Sequence, residues 1–178
     1  MPLTPDGWFS DASRCPSPNF DARPQGEKIS LVVVHAISLP PGEFGGPYVE
    51  AFFSNRLDPS AHPYFATIAA LRVSAHLFVR RDGFLMQFVS CLDRAWHAGV
   101  SRWQGRERCN DFSIGIELEG ADDSEFADAQ YRRLNEILAA LATRFPIEAV
   151  VGHSDVAPGR KTDPGPCFDW TQIDRLSK

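Results

Sequence analysis

The sequence predicts an α/β fold built on one central sheet, and three segments carry that prediction. Residues 29–35, Ile-Ser-Leu-Val-Val-Val-His, form a short β-branched, almost continuously apolar run, the pattern of a strand buried on both faces. Residues 112–119 alternate, with Phe112, Ile114, Ile116 and Leu118 on one face and Ser113, Gly115, Glu117 and Glu119 on the other. Residues 129–145 repeat apolar side chains at helical spacing: Tyr131, Leu134, Ile137, Leu138, Leu141 and Phe145. Strands mixed with helices in one chain of 178 residues give a single α/β domain over residues 1–178, long enough to bury a core.

The remaining elements follow in order. Residues 1–28 are rich in proline and polar groups and read as an extended lead-in. The first strand ends on His35. Residues 39–47 hold three prolines and three glycines and cannot be regular structure. A short helix is expected over 48–55, with Val49, Phe52 and Phe53 as its apolar stripe, and another loop over 58–63. Residues 73–80 and 84–89 read as a hairpin around Arg81-Asp82-Gly83. Residues 93–111 are polar and aromatic and read as loop. Asp128 is the candidate N-cap of the long helix and Pro146 its stop. A strand over 149–152 leads to His153, a rigid proline-rich loop covers 157–166, and a short helix from about Trp170 closes the chain.

Composition excludes several classes of function. The formal net charge is −5, whereas a nucleic-acid binder shows a basic balance or stripe. Arg102, Arg106 and Arg108 form one local basic cluster, which suits a small anionic ligand or a solvated loop. No stretch approaches the roughly 20 apolar residues that span a bilayer. The amino terminus has neither a positive start nor an apolar run, so no secretory signal is expected. Four cysteines, at 15, 91, 109 and 167, match no metal pair or disulfide framework and are expected as free thiols in a reducing cytosol.

Three residues could hold a metal. His35 and His153 each follow an apolar run, and a strand end is a rigid place from which to aim a ligand. Asp163 lies ten positions after His153. Two imidazoles and a carboxylate form a set that zinc accepts with one position left for water, whose pKa it lowers to about 7. Spacing alone leaves this open: a histidine at a strand end is commonly structural, and no HExxH helix sharpens the reading. Glu117 is a carboxylate inside an apolar strand; it must line a cleft or lie on a solvated edge beside Glu119. Lys161, two residues before Asp163, is either an exposed lysine or a cation placed to stabilise an oxyanion.

Taken together in order, the motifs become specific. They are Val34-His35 followed by Ile37-Ser-Leu-Pro-Pro-Gly42, Ser74-Ala-His76, Arg94-Ala-Trp-His-Ala-Gly99, Gly105-Arg-Glu-Arg-Cys-Asn-Asp-Phe-Ser-Ile-Gly-Ile-Glu-Leu-Glu-Gly120, and Gly152-His-Ser-Asp-Val-Ala-Pro-Gly-Arg-Lys-Thr-Asp-Pro-Gly165. The set resembles the type 2 N-acetylmuramoyl-L-alanine amidases of the peptidoglycan-recognition superfamily, and within them the cytosolic bacterial enzymes specific for 1,6-anhydro muropeptides. The resemblance runs from about residue 8 to residue 170.

It implies a mixed β-sheet flanked by helices, with a zinc groove on one side. By position, His35, His153 and Asp163 match the family's zinc ligands, Glu117 its catalytic glutamate and Lys161 its oxyanion-stabilising lysine. Arg72, Trp96 and Arg108 match positions that contact the sugar–peptide substrate, with Arg108 suited to a peptide carboxylate. His97 and His76 border the groove without ligating, and His62 and Cys167 are bystanders. The implied activity is zinc-dependent hydrolysis of the amide between the lactyl group of N-acetylmuramic acid and L-alanine, in cell-wall recycling. The implied partner is a small-molecule muropeptide, with no nucleic acid or membrane, and a monomer is expected. Alternatives are an amidase acting on intact peptidoglycan, a binding module that does not cut, and a structural zinc domain. One residue departs from the family pattern: Ala36 stands where an asparagine usually follows the first ligand, which bears on substrate binding at that position.

Overall fold

The apolar run that ends on His35 becomes an inner strand of a sheet. The computed structural model describes residues 2–174. In chain order its elements are β1 (Ser13–Arg14), β2 (Phe20–Asp21), β3 (Leu31–Ile37), α1 (Tyr48–Phe53), α2 (Phe65–Ile68), β4 (Leu77–Val79), β5 (Leu85–Gln87), β6 (Arg94–Ala95), β7 (Arg102–Trp103), β8 (Arg106–Glu107), β9 (Ser113–Glu119), α3 (Asp128–Arg144), β10 (Ala149–Gly152) and α4 (His153–Val156). Six strands form one sheet in the order β1-β5-β4-β9-β3-β10. Only the β4–β5 pair is antiparallel, so the sheet is mixed. Among the described residues, no helix is long and apolar enough to cross a membrane.

Alternation along β3 and β9 sorts their side chains between two layers. Val32, Val34, Ile114, Ile116 and Leu118 pack with Tyr131, Leu134, Ile137, Leu138 and Leu141 of α3. Leu31 and Val33 face the other way, against Phe112, Val151 and Val156. Farther along that same face, His35 stands opposite Glu117 in the parallel register. The α3 helix thus covers one face, while α1, α2 and the 93–111 segment cover the other.

Several boundaries differ from the sequence expectation, each for a physical reason. His35 is followed by two more strand residues, because pairing with β9 continues to Ile37 and Glu119. The expected strand over 73–80 shrinks to β4: the Ser74 N–H is given to Trp96 O, and the His76 ring takes the Gly115 N–H. The 93–111 segment, read as loop, holds β6, β7, β8 and a 3-10 turn over Cys109–Asp111. Two-residue ladders are too short to leave a periodic pattern. Helices α2 and α4, four residues each, escaped for the same reason.

The long helix starts one residue early: Ala127 takes the cap position, and its N–H is satisfied by the Gln130 side chain. The C-terminal helix is a 3-10 turn over Trp170–Gln172, and the rest of that expectation, residues 175–178, lies outside the described residues. Glu117 and Glu119 are not on a solvated edge: β9 is central, and they are 8% and 4% exposed. Glu119 is paired there, accepting the N–H groups of Gly45 and Arg81.

Candidate active site

The carboxyl ends of β3, β9 and β10 deliver their side chains to one place. Parallel strands leave a crevice outside their carboxyl ends, where ligands of α/β sheets gather. His35 comes from β3, Glu117 from its register partner on β9, and His153 from the residue after β10. The proline-rich loop returns Asp163 to them, tied by the Ser154 N–H to Asp163 O bond of 2.9 Å. A cavity of 430 Å³ opens over this point, walled by His35, Trp96, Glu117, His153, Lys161 and Asp163.

Three donor atoms form a small triangle. His35 Nδ1 lies 2.9 Å from His153 Nδ1, and each lies 3.1 Å from Asp163 Oδ2. Donors about 2.0–2.1 Å from a tetrahedral zinc ion stand roughly 3.3 Å apart, so the residues fit a zinc ion with little movement. Among the described residues this is the one group of three or more histidine, cysteine or acidic side chains so arranged. The far nitrogens are anchored. His153 Nε2 donates to Ala98 O at 3.3 Å, and His35 Nε2 lies 2.9 Å from His97 Nδ1.

The electrostatics suit a cation. Burial pushes the His35 pKa down to about 4, against the opposing hydrogen bond to Asp163, so the ring is neutral at pH 7, as a ligand must be. Burial works against an ionised Asp163, but its contacts with the His153 and His35 rings outweigh it and hold its pKa below the usual carboxylate range. Glu117 is the reverse case. Burial first, then the charge of Asp163, raise its pKa well above the ordinary glutamate value, with Lys161 opposing. Its Oε2 atom is buried with no hydrogen-bond partner. Such an atom costs the fold several kcal/mol when ionised, about the range for an uncompensated buried charge. A cation in the adjacent triangle offsets that cost and favours the ionised form.

The structure sorts the other expected site residues. Trp96 is half-buried in the cavity wall rather than in the core, and Ala36 and His97 also line it. Ala36 packs partly against the α3-side core, because alternation turns it away from His35. Arg72 is exposed and folds onto the carbonyls of Ala69 and Leu71; it is not among the lining residues. Arg108 lines a neighbouring depression of 570 Å³ with Arg102 and Arg160, its guanidinium 3.2 Å from Asp111. His76 lies at the far side of His97 and does not reach the triangle. Sequence reasoning missed Ser113 and Asn110, which hold His97, and Tyr64 and Leu71, exposed apolar groups on the cavity rim. Ser113 was legible in part: it shares the Glu117 face of its strand.

The chain is similar to proteins of known activity. The family described as N-acetylmuramoyl-L-alanine amidase matches residues 25–166. The 1,6-anhydro-N-acetylmuramyl-L-alanine amidase AmpD of Citrobacter freundii is 59% identical over 98% of this chain and 94% of its own. A crystal structure of a selenomethionine derivative of AmpD superposes with a TM-score of 0.96 at 58% identity, covering all of both chains. The amidase AmiD from Escherichia coli, solved with anhydro-N-acetylmuramic acid-L-Ala-D-γ-Glu-L-Lys, is 31% identical with a TM-score of 0.60, over 84% of this chain and 58% of that one.

Proposed function

This chain belongs to the N-acetylmuramoyl-L-alanine amidase family, and on that premise we propose that it works as one amidase domain whose zinc ion is held by His35, His153 and Asp163. It is an amidase of cell-wall recycling, hydrolysing the amide between the lactyl group of 1,6-anhydro-N-acetylmuramic acid and L-alanine. The single observation that carries the site reading is the donor triangle beside a buried, unpartnered Glu117 carboxylate in one cavity.

Zinc, when bound, supplies a Lewis acid for the amide carbonyl and lowers the pKa of water. The side chains do the rest. Glu117 takes the proton of the attacking water and returns one to the leaving amine of L-alanine. Its burial is what keeps bulk water from competing for that carboxylate. The Lys161 ammonium lies exposed on the cavity wall and stabilises the negative charge that develops on the carbonyl oxygen. Trp96 offers a flat wall for the sugar, and Arg108, in the adjoining depression, a fork for a peptide carboxylate. Arg72 reaches substrate only after leaving its present carbonyl partners. The four cysteines are free, which suits a reducing compartment and a cytosolic setting.

The test is incubation with purified anhydromuropeptide beside intact peptidoglycan, with released peptide read by mass. Cleavage of the anhydromuropeptide is the expected result. Cleavage of intact peptidoglycan alone overturns the substrate reading, and cleavage of neither overturns the enzymatic one.

A further inference from the structure

We propose that His97 is a positioning residue for the metal centre: it accepts the Nε2–H of His35 and thereby fixes the tautomer that turns a bare Nδ1 toward the donor triangle. The chain of hydrogen bonds leaves one consistent set of protons. Ser113 Oγ lies 2.6 Å from Cys109 O, and a carbonyl only accepts, so the serine proton points there. Ser113 Oγ therefore accepts from His97 Nε2, 3.2 Å away, and that nitrogen carries the proton. A neutral His97 then has a bare Nδ1, which accepts from His35 Nε2 at 2.9 Å. A neutral His35 has its own bare Nδ1 in the triangle with His153 and Asp163. The network thus places one proton on each ring, at Nε2 in both. A proton on His97 Nδ1 instead would make that nitrogen a donor and move the His35 proton onto the ligand atom.

Two further features hold this ring in place. Gly115 lies directly beneath it: a Cβ there would stand 2.4 Å from the His97 ring, so only glycine leaves room on β9. Asn110 Oδ1 accepts the N–H groups of His97 and Ala98, at 3.2 and 2.8 Å, fixing the backbone that carries the ring. His97 itself is 9% exposed. Ligating histidines ordinarily donate their outer N–H to a carboxylate, carbonyl or water. Here a second imidazole takes that place, and a backbone carbonyl three groups away sets its direction.

The proposal rests on the zinc reading, and the experiment separates the two. Zinc affinity is measured by chelator competition on the parent, His97→Leu and His97→Asn, with folding checked by circular dichroism. His97→Leu is expected to lose about 10- to 100-fold in affinity, the usual cost of removing a partner of a ligating histidine. His97→Asn keeps an acceptor oxygen near the position of Nδ1 and is expected to recover most of that loss. On the zinc-loaded parent, imidazole ¹⁵N–¹H spectra are expected to show His97 as the neutral Nε2–H tautomer, a readout that needs no variant to fold. A parent that binds no zinc overturns the metal reading and this proposal with it. Tight zinc binding by the parent overturns the proposal alone if His97→Leu binds equally tightly, if both variants are equally weak, or if His97 carries its proton on Nδ1.

Discussion

The two faces of strands β3 and β9 obey different rules. Toward α3 the residues are Val32, Val34, Ile114, Ile116 and Leu118, all fully buried and all apolar. Each such side chain contributes about 1.5–3 kcal/mol by leaving water. Toward the opposite layer, Leu31 and Val33 begin β3 in an apolar cluster, but the rest of that face carries Ser113, Gly115, Glu117 and His35, also buried, yet polar or without a side chain. That face includes a carboxylate oxygen with no partner. One pair of strands, read at period two, therefore divides its residues between stability and chemistry. The fold sustains the costly face because the other one is dry and well packed.

Breaking each face should fail in a different way. The largest effect is expected from His153→Ala, which removes one corner of the donor triangle. Zinc binding and hydrolysis of anhydromuropeptide should both fall below detection, read by metal analysis and peptide release. Lys161→Ala comes next. It leaves the triangle intact and should lower kcat about 100- to 1,000-fold, the cost of losing one oxyanion donor, with zinc content unchanged. Across the sheet, Leu134→Ala should cost about 2–5 kcal/mol of unfolding free energy, because it leaves a cavity in a fully buried layer. Turnover of the folded fraction should stay within about twofold of the parent, since the substitution touches no transition-state contact. The smallest effect is expected from Ala36→Asn, which restores the amide usual in the family at the cavity edge. It should lower KM several-fold, about the worth of one net hydrogen bond, and leave kcat alone. Loss of stability there instead would mean that the side chain is held on the α3 face.

Much of this division was legible in the sequence, and the rest was not for definite reasons. Alternation over 113–119 showed which residues share the Glu117 face, although Phe112, expected beside Ile114, lies before the strand and packs with Leu31 and Val33 instead; apolar runs marked where His35 and His153 stand. The 3.6-residue period located α3 to within one residue at each end. Pattern could not show that Glu117 is enclosed, because alternation looks the same on a central strand and at an edge. It also missed the hydrogen bond of His97 to His35, which joins residues 62 positions apart through side chains alone. The His76 ring, which takes a backbone N–H from Gly115, shortened β4 in a way no propensity records. The positions of Arg72 and Arg108 depend on loop paths, and sequence spacing says little about those.

Glu117, the proposed general base, is also a residue that the fold disfavours. Because its pKa is raised in the folded state, the folded state holds the proton more tightly than the unfolded one. The penalty is absent in acid and grows as pH rises above the ordinary value of 4.5. The deciding measurement is Glu117→Gln, with metal-free unfolding followed from acid to neutral pH and turnover followed in the zinc-loaded protein. The account predicts stability equal to the parent in acid and at or above it at neutral pH, full zinc content, and turnover lowered by orders of magnitude. A variant that is less stable at neutral pH yet hydrolyses anhydromuropeptide at the parental rate would contradict it.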